Sequence, residues 1–243
     1  MITNEKVITA RHMMKKFGDF VANNDLNFDV YRGEVFGFLG ANGAGKTTAI
    51  RILCGLSHPT SGEIMVAGFD AHTQREQIKR NIGYMSQKFS LYEDLTVFEN
   101  IRLYGGIYGL TNKVIEERST ELLTKLGFEH ARNKLISDIP LGWRQKLAFS
   151  VAIFHKPQIV FLDEPTGGVD PVTRRQFWDL IYDAAQSGIT VFVTTHYMDE
   201  AEYCNRVSIM VDGRIAELDT PENLKKAFGA KNMDEVFTKL ARG

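Results

Sequence analysis

Residues 40 to 47 read GANGAGKT. Three glycines free the backbone to curl until successive N–H groups converge, which makes a nest for an anion. The helical run TAIRILCGL that follows adds the positive end of a helix. The spacing G-x-x-x-x-G-K-T brings Lys46 within reach of the outer phosphates of a nucleoside triphosphate and offers the Thr47 hydroxyl to a magnesium ion. Gly40, Ala41, Asn42, Gly43, Ala44, Gly45, Lys46, Thr47 and Thr48 are therefore the expected contacts of that ligand.

A second acidic element lies far along the chain, in QIVFLDEPTGGVDP. An apolar run ends in Asp163, placed to hold a water on magnesium, as the second acidic element of a phosphate-loop enzyme does. Glu164 is next, and strand alternation points it the other way, where a base would orient or deprotonate an attacking water.

The elements that must position these groups are legible as apolar runs. EVFGFLG, GEIMVAG, NIGYMSQ, QIVFLDEP and ITVFVTTH each read as a short buried strand. Several end in polar residues on the C-terminal side, the edge where open α/β sheets place ligands. VSIMVDGRIAELD predicts a hairpin turning at Asp212 and Gly213. From residue 88 to 156 the pattern becomes helical, with Val114, Ile115, Leu122, Leu123 and Leu126 at helical spacing. Phe177, Leu180, Ile181 and Ala184 mark a further amphipathic helix after Pro171. The expected organisation is a single domain over 5–220. An α/β core (1–87 and 157–220) is interrupted by a helical subdomain (88–156), and short helices follow over 221–243.

Bulk properties exclude little but agree. The 243 residues carry 29 basic and 30 acidic side chains, a formal charge of −1, so no general attraction to nucleic acid or anionic lipid is expected. Hydrophobic residues make up 44% and charged residues 24%, as in ordinary globular proteins. Cys54 and Cys204 have no metal-type spacing, which fits a reducing, cytosolic setting. No signal-like segment and no apolar window long enough to span a bilayer is expected.

Taken with the loop, FGDFVANNDLNFDVYRGEVFGFLGANGAGKTT, the glutamine after GYMS, FLDEPTGGVDP and TTHYMDEAE, the chain resembles the ATP-binding subunit of ATP-binding cassette transporters. Its wording around residues 83 to 101 resembles the exporter branch of ABC-2 type. The resemblance implies a P-loop NTPase (RecA-like) core with an antiparallel β subdomain and an inserted α-helical subdomain. It implies ATP and Mg²⁺ as cofactors, with Thr47, Gln87 and Asp163 on the metal. Phe17 is implied to stack on adenine, and Asp170 to meet a second subunit. The implied catalytic set is Lys46, Glu164 and His196, the last as a switch that bonds the γ-phosphate or the attacking water. His12, His58, His72, His130 and His155 are read as incidental.

One stretch departs from the family. In SDIPLGWRQKLAFSVAIFHKP, the residues aligned with the signature that covers a partner's ATP are Ile139, Pro140, Leu141, Gly142 and Trp143; only Gly142 matches. Pro140 removes a hydroxyl and an N–H but is tolerated in a first helical turn, and the helix after it carries Leu147, Val151 and Phe154 at helical spacing. One lost hydrogen bond to a charged group is worth about 1.5–3 kcal/mol, so a working variant is expected, with Trp143 or Arg144 compensating. The resemblance also implies a second ATP-binding subunit, identical or different, and a transmembrane permease that holds the chain at the inner face of the cell membrane. Phe89, Leu91, Tyr92, Leu95 and Phe98 are candidates for the permease groove. Alternatives are a cassette ATPase acting on ribosomes or DNA, and a small-molecule kinase.

Overall fold

Val35, Phe36, Phe38 and Leu39 are all buried although they follow one another along a single strand. β3 (Val35–Gly40) must therefore be covered on both faces, the usual condition of a strand in a parallel sheet. The computed structural model describes residues 2–87 and 91–242 and places β3 inside a six-stranded sheet. Going outward on one side come β9 (Arg206–Val211) and β10 (Arg214–Asp219). On the other come β8 (Thr190–Thr195), β7 (Ile159–Asp163) and β6 (Ile82–Met85). All neighbouring pairs are parallel except β9 with β10. Leu39 is in register with Thr195, and Asp163 with Thr194, so the ends of β3, β7 and β8 come out along one edge.

Alternation along these strands sends side chains into two cores. Phe36, Phe38, Phe161 and Phe192 face one layer with Phe28, their ring centroids 5.3–6.3 Å apart. Burying each such ring contributes about 1.5–3 kcal/mol before conformational entropy is counted. Val160, Leu162, Val191 and Val193 face the helical layer.

The first layer holds α1 (Lys46–Leu53), α2 (Arg75–Asn81) and a four-stranded antiparallel sheet in the order β2-β1-β4-β5. Its strands are β1 (Lys6–Phe17), β2 (Phe20–Tyr31), β4 (Ser61–Val66) and β5 (Phe69–Asp70). GEIMVAG, read as a buried strand, is β4 here, and of its strand residues only Ile64 and Val66 are buried. The two long strands β1 and β2 are not announced by simple alternation. Their pairing slips between Ala10 and Met13, and His12 and Asp25 take positive φ of 52° and 59°, so the inward face changes along the strand.

The second layer contains α3 (Val97–Ile107), α4 (Asn112–Leu126), α5 (Leu141–Ala152) and α6 (Pro171–Gln186). Thr96 and Glu99 form a reciprocal cap at the start of α3, and Gly127 closes α4 in a left-handed conformation. Ile115 and Leu123 enter the core as their spacing predicts, while Leu122 and Leu126 pack at its rim. α5 differs from the one-sided helix expected: nearly every residue from Gln145 to Ala152 is buried, because β6, α3 and α6 all pack on it. Asp212 and Gly213 turn the β9–β10 hairpin with φ of 48° and 75°, the pair of positive values such a two-residue turn requires. After it, α7 (Pro221–Ala227) and α8 (Met233–Arg242) lie against the core through Leu224, Met233 and Val236.

Candidate functional site

The loop after β3 is pinned from outside. The amide of Asn23 on β2 donates to the Gly45 carbonyl at 3.0 Å. Gly45 has φ 98°, and a Cβ on it would lie 2.3 Å from the Ala22 carbonyl, so no other residue fits there. α1 starts at Lys46, directly after that residue. The Lys46 side chain is 4% exposed, and its Nζ donates to the carbonyls of Gly40 at 2.8 Å and Ala41 at 3.1 Å. Around it opens a cavity of about 530 Å³ lined by Asn42, Gly43, Gly45, Lys46, Thr47, Thr48, Gln87 and Glu164, with Phe20 and Ala22 on its wall. A similar cavity of about 560 Å³ lies elsewhere, walled by Leu122, Ile153, Phe154 and Ile189, and has none of these groups.

Asp163 ends β7 and is almost fully buried. The Thr194 hydroxyl donates to its Oδ1 at 2.8 Å, and the Thr47 hydroxyl lies 3.4 Å from the same oxygen. Burial pushes its carboxyl above the usual range; the Thr194 hydroxyl counteracts this, and the neighbouring Glu164 charge reinforces it. Thr194 was not anticipated, although its place at the C-terminal end of ITVFVTTH was a signal that could have been used. Thr47, Asp163 and the Gln87 amide offer the hard oxygen donors that magnesium prefers, so the residues fit that ion.

Glu164 is turned differently from the expectation. The strand stops at Asp163, and alternation does not extend past it. Glu164 instead takes φ 50°, held by its N–H donating to the carbonyl of Thr194 at 3.1 Å and to its hydroxyl at 3.0 Å. A non-glycine residue in this region is strained, as functional carboxylates often are. The turn aims Glu164 at three donors. Gln87 Nε2 donates to Oε2 at 3.0 Å, His196 Nδ1 is 3.1 Å from the same oxygen, and Lys46 Nζ is 3.4 Å from Oε1. His196 thus has a partner in the chain that its motif did not reveal.

The remaining expected residues divide. Phe17 is 55% exposed with Lys15 over its ring, and it is Phe20, its partner across the hairpin, that lines the cavity. Asp170 caps α6; the Thr173 hydroxyl, donating to it at 2.6 Å, and then the amides of Thr173 and Val172 hold its carboxyl below the usual range. Pro140 stands at the N-cap of α5, one place earlier than expected. Trp143 and Arg144, expected to compensate at the partner's ATP, each have partners within the chain. The indole stacks on Phe128 at 4.5 Å, and the guanidinium is spent on Glu93 at 2.9 Å and the carbonyls of Ile139 and Ser137. Gly142 is close-packed: a Cβ there would stand 2.6 Å from Thr173 Cγ2 of α6. Next along α5, the fully buried Gln145, another residue the motif reading passed over, donates to the Gly167 carbonyl at 3.2 Å. A polar residue in so apolar a helix was the available signal. Of the groove candidates, Leu91 is core, Tyr92 is exposed, Arg132 covers Phe98, and Phe89 lies outside the described residues.

The family described as ABC transporter matches residues 23–167. The chain is 46% identical over 221 residues to the probable multidrug ABC transporter ATP-binding protein YbhF of Escherichia coli, covering 91% of this chain and 38% of that protein. It is 38% identical over 213 residues to the Nod factor export ATP-binding protein I of Cupriavidus pinatubonensis, covering 87% and 66%. The chain thus spans less than two thirds of the length of both relatives. Its fold is similar to the dimeric structure of an ATP-binding cassette in a post-hydrolysis state with ADP and Pi, with TM-score 0.79 and 25% identity over 88% of this chain and 98% of the other.

Proposed function

Since this chain belongs to the ABC transporter family, we propose that it is the ATP-hydrolysing motor subunit of an exporter. The observation that carries this is the meeting of Lys46, Gln87 and His196 on the Glu164 carboxylate, beside Asp163 and Thr47. In this reading the loop amides and Lys46 bind the phosphates of ATP. Magnesium, held by Thr47, Asp163 and Gln87, supplies charge neutralisation at those phosphates. Glu164 accepts the proton of the attacking water, and His196, in direct contact with that carboxylate, orients it.

Residues 5–220 are read as one domain, with 88–156 as its helical subdomain and 221–243 as an extension. Asp170 and the start of α5 face a second ATP-binding subunit, so that two ATP molecules are sandwiched. The hydrolytic groups serve this chain's own ATP, whereas Pro140, Leu141 and Gly142 serve its neighbour's. With a different second subunit, the variant signature slows the opposite site more than its own; with an identical one, both sites carry it. Exposed Tyr92, beside Gln87 in sequence, borders the contact with a transmembrane permease, which keeps the subunit at the cytoplasmic face. Among the described residues no helix is long and apolar enough to cross a membrane.

The test is to express the chain with its native membrane partner and measure ATP hydrolysis in membranes and in the soluble fraction. Magnesium-dependent hydrolysis that sediments with membranes and depends on Glu164 supports the reading. Hydrolysis that stays with ribosomes or DNA after membranes are removed overturns its transport half.

A further inference from the structure

Glu200 is wholly buried, yet nothing in the chemistry above uses it. It sits in the short 3-10 turn Met198–Tyr203 that follows His196. Its Oε1 accepts a hydrogen bond from the Thr166 hydroxyl at 2.5 Å, and Thr166, itself buried, comes just after Glu164 and Pro165. This bond joins the segment leaving β7 to the segment leaving β8. Immediately before it on those two segments stand Glu164 and His196, whose side chains meet at 3.1 Å. The two contacts close a ring through the chain: Glu164 to Thr166, across to Glu200, back to His196, and across again.

The ring is held from below by α6. The guanidinium of Arg174 lies 4.2 Å from the centre of the Tyr197 ring and reaches Asp199 at 3.4 Å. Its Nε is 3.6 Å from Glu200 Oε1, too long for a full hydrogen bond. Arg174 Nε and Glu200 Oε2 are both buried without partners. A carboxylate left so incompletely paired in the interior is a poor stabiliser, and an apolar side chain of that size would serve stability at least as well. Its one short, well-made bond runs to the segment carrying Glu164.

We infer that Thr166 and Glu200 are positioning residues for ATP hydrolysis: their bond sets the spacing at which His196 Nδ1 reaches the Glu164 carboxylate. The inference rests on the roles given above to Glu164 and His196. Neither Thr166 nor Glu200 lines the cavity around the loop, so the effect falls on the reacting geometry and leaves nucleotide binding unchanged.

Thr166→Val keeps the shape of the side chain and removes its donor; Thr166→Ser restores the donor. In the complex with the native partner, Thr166→Val is expected to lower kcat by about ten- to a hundredfold with KM for ATP unchanged, the cost of a small misplacement at the reacting centre, and Thr166→Ser is expected to recover it. The imidazole resonance of His196, assigned by its loss in His196→Gln, is expected to move in Thr166→Val and return in Thr166→Ser. A merely structural bond would lower thermal stability and leave kcat per folded molecule and that resonance where they were; this result overturns the inference. If Thr166→Val unfolds, Glu200→Met, which keeps the size and removes the acceptor, is judged by the same two readouts. A parent that binds ATP and never hydrolyses it sinks the proposed function, while the His196 resonance still decides whether Thr166 and Glu200 position it.

Discussion

Lys46 Nζ stands 3.4 Å from Glu164 Oε1, although 117 residues separate the two in the chain. With Gln87 and His196 on its other oxygen, Glu164 is the point where the loop after β3, the end of β6, the end of β7 and the end of β8 are tied together. In the proposed reading, phosphate oxygens at the loop compete with Glu164 for Lys46, which couples nucleotide binding to the freedom of that carboxylate. Each group at the site therefore has a separable consequence when changed.

Lys46→Ala removes a buried cation whose present acceptors are the carbonyls of Gly40 and Ala41 and the Glu164 carboxylate. ATP hydrolysis is expected to fall by at least about a hundredfold, since charge aimed at a transferring phosphoryl group is worth several kcal/mol. Steady-state phosphate release checks it. Turnover equal to the parent's would remove the basis for assigning the loop to a triphosphate.

Glu164→Gln keeps the size of the side chain and loses the base. Hydrolysis is expected to drop by about 10²- to 10⁴-fold, while ATP stays bound and a dimer accumulates with ATP and magnesium. Size-exclusion chromatography with the native partner reads this out. Absence of any dimer under those conditions argues against the two-subunit sandwich.

Gly142→Ala sets two effects against each other. Alanine gains up to about 1 kcal/mol of helix propensity over glycine. The new Cβ would meet Thr173 Cγ2 at 2.6 Å, and Thr173 cannot rotate away without breaking its bond to Asp170 at 2.6 Å. Overpacking of this kind costs about 1–3 kcal/mol, so net destabilisation is expected. Adding Thr173→Ser removes the offending methyl and keeps the hydroxyl, and denaturant melts of the double variant should recover most of the loss. No recovery would mean that the two helices do not touch there.

His155 supplies an acid sensitivity of the fold. Its ring stacks on Tyr108 at 3.5 Å, Nε2 lies 3.2 Å from the Ile82 carbonyl, and Nδ1 is buried without a partner. Burial lowers its pKa to about 4 from an ordinary 6.5. Between those values the unfolded chain binds the proton and the folded one does not, so stability falls as pH drops through this window. Compared with His155→Phe, the parent should lose roughly 1–2 kcal/mol more between about pH 7 and about pH 4.5, after allowing for partial solvent screening. Parallel stability curves for the two proteins would contradict this.

The amino-acid order by itself settled whatever depends on neighbours along the chain. GANGAGKT, the strand ending in Asp163 and the turn at Asp212 and Gly213 are local: their backbone shapes follow from glycine, from apolar runs and from caps a few residues away. The antiparallel sheet, implied by the family resemblance, is not legible in alternation itself, because bulges at His12 and Asp25 interrupt the pattern by which a strand is read. Tertiary structure alone decided who meets whom. Glu164 points at Gln87 and His196 because a positive φ, stabilised by Thr194 on another strand, overrides alternation. Trp143 and Arg144 take their orientations from residues of other segments: Phe128 stacks on the indole, and Glu93 pairs with the guanidinium. Such partners are chosen by packing between elements far apart in sequence, and no local pattern encodes that choice.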